Sequence, residues 1–224
     1  MPVGAQILRT GEFCYPFGML SLDELHGALT DLGARAFAQG KTVELAVYGG
    51  SALMLASNFR VASDDVDAVA ATDQDLVDRL AREIAAERGW SADWLNDGVR
   101  TYLSPNVEGL AQHHVLFGTY PDERRPGLRV FVPTAEYLLA MKLLAMRLDP
   151  AGGSSDLGDI LRLMEVVGIA EKSELQSFAE TFYPEARVSG RVRLGIETIW
   201  RERQKLRPGG GDAPSYPGRR SPSP

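Results

Sequence analysis

The strongest constraint on this chain is a strand, a glycine turn and a helix, followed closely by a pair of acidic residues. Residues 43–48, VELAVY, are apolar and have the length of a short buried strand. A Gly-Gly-Ser turn at residues 49–51 interrupts them, and the compact apolar run 52–56 favours a helix. An acidic run, residues 63–67, then leads into a second apolar stretch at residues 66–70. The sequence therefore predicts two buried strands connected through a helix that opens at glycine.

The acidic run contains two aspartates that extended backbone would place side by side. Asp65 and Asp67 are two positions apart, so in a strand they share one face while Val66 points into the core. Adjacent carboxylates repel, and each loses hydration when it is partly buried, which a divalent cation between them would offset. Hard oxygen ligands suit Mg²⁺, which also binds phosphate. We therefore predict that Asp65 and Asp67 are metal ligands for Mg²⁺, with Mn²⁺ as an alternative.

The glycine turn has the features of a phosphate site. Backbone N–H groups at the start of a helix bind phosphate oxygens, and a residue without a Cβ lets the ligand approach the backbone. Gly49 and Gly50 provide this access, and Ser51 adds a hydroxyl. The alternative interpretation is a tight turn with a helix cap, beside solvated acids at the start of a strand.

The remaining periodicity predicts an α+β fold. Apolar spacing predicts two further strands and six helices. The C-terminal half of the chain is predicted to be purely helical. The strands are predicted at residues 114–118 and 128–132, and the helices at 22–39, 72–88, 135–148, 156–167, 172–182 and 188–205. This order predicts a small mixed sheet with flanking helices over residues 1–132 and a helical bundle over 133–207. Residues 208–224 are rich in Gly, Pro, Ser and Arg, and we expect them to be disordered.

The charge of the chain is unevenly distributed. The net charge is −6, yet from Arg187 onward nine Lys and Arg residues stand against three Asp and Glu. This basic end is suited to a polyanion, and it is equally compatible with an ordinary solvated helix and tail. Its cations in or beside the last predicted helix, called the basic segment below, are Arg187, Arg191, Arg193, Arg201, Arg203, Lys205 and Arg207.

The sequence also limits the compartment. A single cysteine, Cys14, excludes an intrachain disulfide and a cysteine-based metal site. The sequence does not start with basic residues followed by an apolar run, which is the pattern of a signal peptide. No stretch reaches the roughly 18 apolar residues of a membrane span. We therefore expect a cytoplasmic protein without a membrane partner.

His113 and His114 are neighbours, and on a strand they would point to opposite faces, which argues against a shared metal site.

Four motifs in order give the chain a family resemblance. The Gly-Gly-Ser turn, followed fourteen residues after Ser51 by Asp-Val-Asp, resembles the nucleotidyltransferase fold of the polymerase-beta superfamily. The chain more closely resembles the AbiEii and MenT-like group of bacterial nucleotidyltransferases. Residues 63–67 stand where that group has Thr-x-Asp-Ile-Asp, with Arg60 just before them. Residues 133–147, PTAEYLLAMKLLAMR, resemble its lysine-bearing helix, and SDLGDILRL, residues 155–163, resembles the Asp-Leu-x-Asp that follows.

The resemblance implies a nucleotidyltransferase-type sheet and a Mg²⁺-dependent enzyme. Such an enzyme moves a nucleoside monophosphate from an NTP to an acceptor hydroxyl and releases pyrophosphate. The group further implies the toxin of a toxin–antitoxin pair, with a tRNA 3′ end as acceptor and a cognate antitoxin as partner. Catalytic roles are implied for Asp65, Asp67 and Lys142. Nucleotide contacts are implied for Gly49, Gly50, Ser51, Arg60, Ser63, Lys142, Asp156 and Asp159.

One departure from the family pattern leaves alternatives open. Many members carry a third carboxylate on a neighbouring strand as general base, but the candidate strand here, residues 128–132, is LRVFV. Asp64, Asp156, Asp159 or bulk water would then have to accept the proton. The rival functions are a transferase for a protein or a small molecule such as an aminoglycoside, and an inert binding module or antitoxin.

Several candidate residues also have purely structural interpretations. Lys142 lies in a dense apolar helix and is either a phosphate contact or a lysine that extends its charge to the surface. Asp156 and Asp159 are either nucleotide contacts or first-turn acids of their helix. Arg60 is either a phosphate ligand or a surface residue.

Overall fold

The computed structural model describes residues 6–7, 13–14, 19–57, 59–146, 155–205 and 216–217 of the 224. In these residues the chain is α+β, as predicted, with seven α-helices and a mixed five-stranded sheet. It divides into two compact units. The first comprises Met1–Val99 and Leu116–Val132, and the second comprises Arg100–Val115 and Pro133–Pro224.

The sheet has the strand order β7-β6-β4-β9-β8. Strand β4 is antiparallel to β6 and parallel to β9, and β6 is parallel to β7. Two short pairings, β1 with β2 and β3 with β5, stand outside this sheet. The elements are β1 (Gln6–Ile7), β2 (Phe13–Cys14), β3 (Leu20–Ser21), α1 (Leu22–Ala38), β4 (Val43–Val47), α2 (Gly49–Ala56), β5 (Ala62–Ser63), β6 (Val66–Ala70), α3 (Gln74–Arg88), β7 (Leu95–Asn96), β8 (His114–Asp122), β9 (Arg125–Pro133), α4 (Ala135–Ala145), α5 (Ser155–Val167), α6 (Lys172–Phe182) and α7 (Gly190–Lys205).

Helix α1, in the first unit, begins at a capping box formed by two nearby residues. The Ser21 hydroxyl accepts a hydrogen bond from the Glu24 N–H at 3.3 Å, and the Glu24 carboxylate accepts one from the Ser21 N–H at 2.8 Å. A serine followed three residues later by a glutamate predicts this reciprocal arrangement, which is a capping box. Inward-facing leucines of α1 are fully buried, and Arg88 at the end of α3 pairs with Asp31 at 2.6 Å.

The hairpin of β8 and β9 differs from its prediction. The strands predicted at residues 114–118 and 128–132 are both longer in the structure, and they continue to a turn of two residues. The Asp122 carboxylate accepts hydrogen bonds from the Arg124 and Arg125 N–H groups at 3.0 and 3.1 Å. This local closure lets backbone pairing extend further than the apolar pattern indicates.

In the second unit, α4 is buried almost throughout, as its apolar density predicts. The Thr134 hydroxyl caps it by accepting from the Tyr137 N–H at 3.4 Å. Tyr216 differs from the predicted disordered tail, because it is 5% exposed and its hydroxyl donates to the Pro133 carbonyl at 3.0 Å. Apart from this residue and Pro217, residues 208–224 lie outside the described residues. No helix in the part of the chain that the structure describes is long and apolar enough to cross a membrane.

Aromatic rings cluster around Tyr137. Tyr137 stacks on Phe182 with ring centroids 5.5 Å apart, and the rings of His113 and His114 lie 6.2 and 5.5 Å from it. His113 has a φ of 57°, which is outside extended geometry, so the two histidines do not alternate as they would on a regular strand. Burial lowers the pKa of His114 below its ordinary 6.5, and the neighbouring His113 lowers it further against the opposing hydrogen bond with Gln112.

We expect this cluster to make stability pH-dependent. Because the folded state binds the His114 proton less readily than the unfolded chain, its contribution is complete above pH 6.5 and is lost as the pH falls below that value. Urea unfolding at pH 7.5 and at pH 5.5 should show a loss of stability on acidification that is smaller in His114→Phe. An identical loss in His114→Phe would assign the acid sensitivity to other groups.

Candidate functional site

The first component of the site is the start of α2. Tyr48 is the N-cap, and the Ala52 N–H makes the first intrahelical bond, to the Tyr48 carbonyl at 3.0 Å. The N–H groups of residues 49–51 therefore lie in the first turn, where the helix supplies no acceptor for them. Tyr48 makes no side-chain cap, and the first turn contains no acidic residue. The positive end of this helix is thus suited to an anion.

The second component is the Asp67 carboxylate, which lies against the glycine turn. The Tyr48 N–H donates to the Asp67 carbonyl at 2.8 Å, and this bond fixes β6 beside the end of β4. An ideal Cβ built on Gly49 would lie 2.6 Å from Asp67 Oδ2. Gly49 also has a φ of 62°, which glycine tolerates better than other residues. Both the backbone angle and the close approach of Asp67 therefore require glycine here.

This double requirement gives a prediction with an internal control. Gly40 has a φ of 69° and nothing within 4 Å of its ideal Cβ, so Gly40→Ala changes backbone preference alone. We expect Gly40→Ala to cost about 1 kcal/mol of stability. Gly49→Ala should cost clearly more, because the methyl group also displaces Asp67. Thermal and urea unfolding of both variants measure the difference, and equal losses would show that the contact with Asp67 is unimportant.

Arg60 and Ser63 lie near the second glycine of the turn. An ideal Cβ on Gly50 would be 2.9 Å from Arg60 Nη1 and 3.2 Å from Ser63 Oγ. The structure thus places both side chains beside the turn, and their contact with a nucleotide stays a prediction. Ser51 has a different environment from the one expected, because it is 1% exposed and its hydroxyl donates to the Asp65 carbonyl at 2.6 Å. In this conformation the Ser51 hydroxyl therefore positions the backbone of Asp65.

Asp65 precedes β6, which corrects the prediction that both aspartates lie in one strand. Pairing of Ser63 with Leu20 in β3 ends just before the acids, and β6 begins at Val66, whose N–H donates to the Trp94 carbonyl at 2.7 Å. The chain bends between these two pairings and leaves Asp65 exposed, whereas Asp67 is half-buried. Asp65 therefore lies in a bend and Asp67 in a strand.

Asn96 is a site residue that the sequence did not indicate. It lies on β7, directly opposite Asp67 in the parallel register, and its Nδ2 donates to Asp65 Oδ2 at 3.1 Å. The strand comprises only two residues, which is too short for a periodic pattern. The nearby Trp94 is buried, and its Nε1 donates to the Ala81 carbonyl of α3 at 2.9 Å.

The donor set determines which metal the site suits. Asp65 and Asp67 offer carboxylate oxygens, and among the described residues no group of three His, Cys, Asp or Glu side chains is placed to bind one ion. Mg²⁺ is usually held by one or two carboxylates together with substrate phosphates and water. The positive end of α2, close to Asp67, would bind such phosphates. The residues present therefore fit Mg²⁺ together with a phosphorylated ligand.

In the second unit, Lys142 and two predicted site residues form a buried ion cluster. Lys142 Nζ lies 3.0 Å from Asp156 Oδ1 and 2.7 Å from Asp159 Oδ2. The side chains of Lys142 and Asp159 are 9% and 5% exposed, and that of Asp156 is 32% exposed. The structure thus brings together three residues that the motifs grouped, and Lys142 is not a lysine extended to the surface. Contact of this cluster with a nucleotide stays a prediction.

Most described cations of the basic segment have partners within the second unit. Arg187 donates to the carbonyls of Leu103 and Thr101 at 3.1 and 2.5 Å, and Arg191 donates to the Leu144 carbonyl at 3.3 Å. Arg193 pairs with Glu185, Arg203 lies over the Trp200 ring, and Lys205 pairs with Glu202. Arg201 is exposed, and Arg207 lies outside the described residues. Glu185 and Glu202 offset the charges of Arg193 and Lys205, whereas the other contacts engage donor groups or a ring face and leave the positive charge in place.

No family model, no curated protein and no solved structure matches the chain. The family resemblance of the sequence motifs therefore stays a prediction.

Proposed function

We propose that the protein is a Mg²⁺-dependent nucleotidyltransferase that transfers a nucleoside monophosphate from an NTP to an acceptor hydroxyl. The observation that carries the proposal is the convergence at the end of β4. There, the start of α2, the Arg60 guanidinium near Gly50 and the Asp67 carboxylate against Gly49 lie around one turn. Positive groups beside a carboxylate are the combination that a metal-bound triphosphate requires.

Each group has a role in this proposal. The N–H groups of the first α2 turn and Arg60 bind phosphate oxygens and orient the triphosphate. Asp65 and Asp67 would hold Mg²⁺, which when bound would neutralise charge on the phosphates and on the departing pyrophosphate. The backbone bond from Tyr48 to Asp67 and the hydroxyl bond from Ser51 to Asp65 hold both acids in place before the ligand arrives. Such preorganisation lowers the cost of reaching the transition state.

The acceptor is the less constrained half of the proposal. The family resemblance supports a tRNA 3′ end, and with it a toxin that is restrained by an antitoxin. The engagement of Arg187, Arg191, Arg193, Arg203 and Lys205 in internal contacts favours a second candidate, a transferase for a protein or a small molecule. An inert binding module would retain nucleotide binding alone.

One assay separates these functions. The purified protein would be incubated with Mg²⁺ and each NTP labelled at the α-phosphate, with and without total tRNA, and both label transfer and pyrophosphate release would be measured. Label on RNA supports the tRNA acceptor, and label on protein supports the second candidate. Nucleotide binding without pyrophosphate release supports the inert module. Absence of NTP binding, measured by calorimetry with Mg²⁺ present, would contradict the whole proposal.

A further inference from the structure

The Asn96 side-chain amide has one orientation. Its Oδ1 accepts from the Gly98 N–H at 3.0 Å, and its Nδ2 reaches the Asp93 carbonyl at 3.5 Å as well as Asp65 Oδ2 at 3.1 Å. A backbone N–H only donates and a carbonyl only accepts, so the network fixes which end of the amide faces which partner. The NH₂ group must therefore point at the Asp65 carboxylate.

Asn96 lies on the strand next to β6, beside both aspartates. Strand β7 is the neighbour of β6 on the side away from β4, and Asn96 stands opposite Asp67 in the register. Residues 128–132, the predicted strand that lacks the third carboxylate, belong to β9 on the other side of β4. An acidic side chain in place of Asn96 would lie beside both aspartates. The structure has a neutral amide there.

We propose that Asn96 is a positioning residue that holds Asp65 and limits this edge of the sheet to two carboxylates, so that a divalent cation binds only together with nucleotide phosphates. The cation requirement rests on the proposed function. The amide donates to Oδ2 of Asp65, and under this proposal the cation binds through Oδ1. Two carboxylate ligands hold a hydrated Mg²⁺ or Mn²⁺ weakly, and phosphate oxygens complete its coordination.

The decisive variant is Asn96→Asp, tested by Mn²⁺ titration in calorimetry without nucleotide. The new carboxylate would face Asp65 at a distance that is repulsive unless a cation lies between them. We expect the wild-type protein to bind Mn²⁺ alone only at millimolar concentrations, and Asn96→Asp to bind it at least about tenfold more tightly. Asn106→Asp is the matched control, because Asn106 is exposed in another part of the chain and gains the same charge.

Two further variants connect the result to Asp65. The gain should disappear in Asn96→Asp combined with Asp65→Asn, because the second change removes the partner acid. In Asn96→Ala, affinity for Mn²⁺ in the presence of a non-hydrolysable ATP analogue should fall about fivefold, since Asp65 is no longer held. If Asn96→Asp unfolds in buffer, recovery of its thermal transition by Mn²⁺ reports the same new site.

The outcomes that overturn the proposal are specific. Tight Mn²⁺ binding by the wild-type protein without nucleotide contradicts the limit to two carboxylates. No gain in Asn96→Asp, or a gain that Asp65→Asn leaves intact, contradicts the placement of Asn96 beside Asp65. These measurements do not depend on turnover. A gain in Asn96→Asp together with absent pyrophosphate release by the wild type would refute the proposed transfer and retain the role of Asn96.

Discussion

Replacing Asp67 with alanine is expected to abolish nucleotide transfer while the fold persists. The carboxylate lies against the Gly49 turn, and under the proposed function it binds the metal that carries the phosphates. The variant keeps the bond from the Tyr48 N–H to the Asp67 carbonyl, which is a backbone contact. We therefore expect a thermal transition close to that of the wild type and a loss of rate of at least 10²–10³-fold, on the order of the effect of removing one preorganised electrostatic group.

Asp75→Ala is the control for this loss. Asp75 is an exposed acid in the first turn of α3, so its removal changes net charge equally. Pyrophosphate release by Asp75→Ala should match that of the wild type within about twofold, because an exposed charge is screened by salt. Wild-type activity in Asp67→Ala would exclude this carboxylate from the chemistry. Equal losses in both variants would show that the assay responds to net charge.

Lys142→Met is expected to have the largest effect on stability. The variant keeps the length of the side chain but leaves Asp156 and the buried Asp159 without the ammonium that lies within 3.0 Å of each. Removing one partner of a buried ion pair costs about 3–5 kcal/mol, since the remaining charge stays desolvated. Urea unfolding measures this loss. Lys172→Met, which breaks an ion pair whose side chains are 45% and 52% exposed, should cost less than about 1 kcal/mol.

Neutralising both aspartates should restore the stability that Lys142→Met loses. Adding Asp156→Asn and Asp159→Asn to Lys142→Met replaces both carboxylates with neutral amides, and we expect the triple variant to regain most of the stability. Failure of this rescue, or equal losses in Lys142→Met and Lys172→Met, would show that the cluster contributes little. A loss of activity in Lys142→Met alone would therefore report on folding as much as on phosphate binding.

The starts of α1 and α4 match the predicted helix starts and depend on local chemistry. Ser21 with Glu24, and Thr134, cap their helices through contacts that span three residues. The start of α2 at Gly49 likewise follows from the glycine turn itself. In each case, the residues that decide the structure are close in sequence, so the pattern contains the necessary information.

The features that the sequence did not reveal depend on pairing between distant residues. The bend at Asp65 results from β3 pairing with β5, and Asn96 reaches the site because β7 pairs with β6. The contacts of Arg187 depend on the segment around Thr101, far away in the sequence. Charge counting alone could not reveal that such cations were already engaged. Short strands and carbonyl acceptors leave no periodic signal.

The central claim is that a triphosphate binds at the start of α2 with its metal on Asp65 and Asp67. A crystal structure with Mn²⁺ and a non-hydrolysable NTP tests it most directly, because the anomalous signal of Mn²⁺ locates the ion independently of the nucleotide. The account predicts Mn²⁺ bonded to both carboxylates and phosphate oxygens on the N–H groups of Gly50 and Ser51. Mn²⁺ and triphosphate bound at another place, with Asp67 making no contact to either, would contradict it.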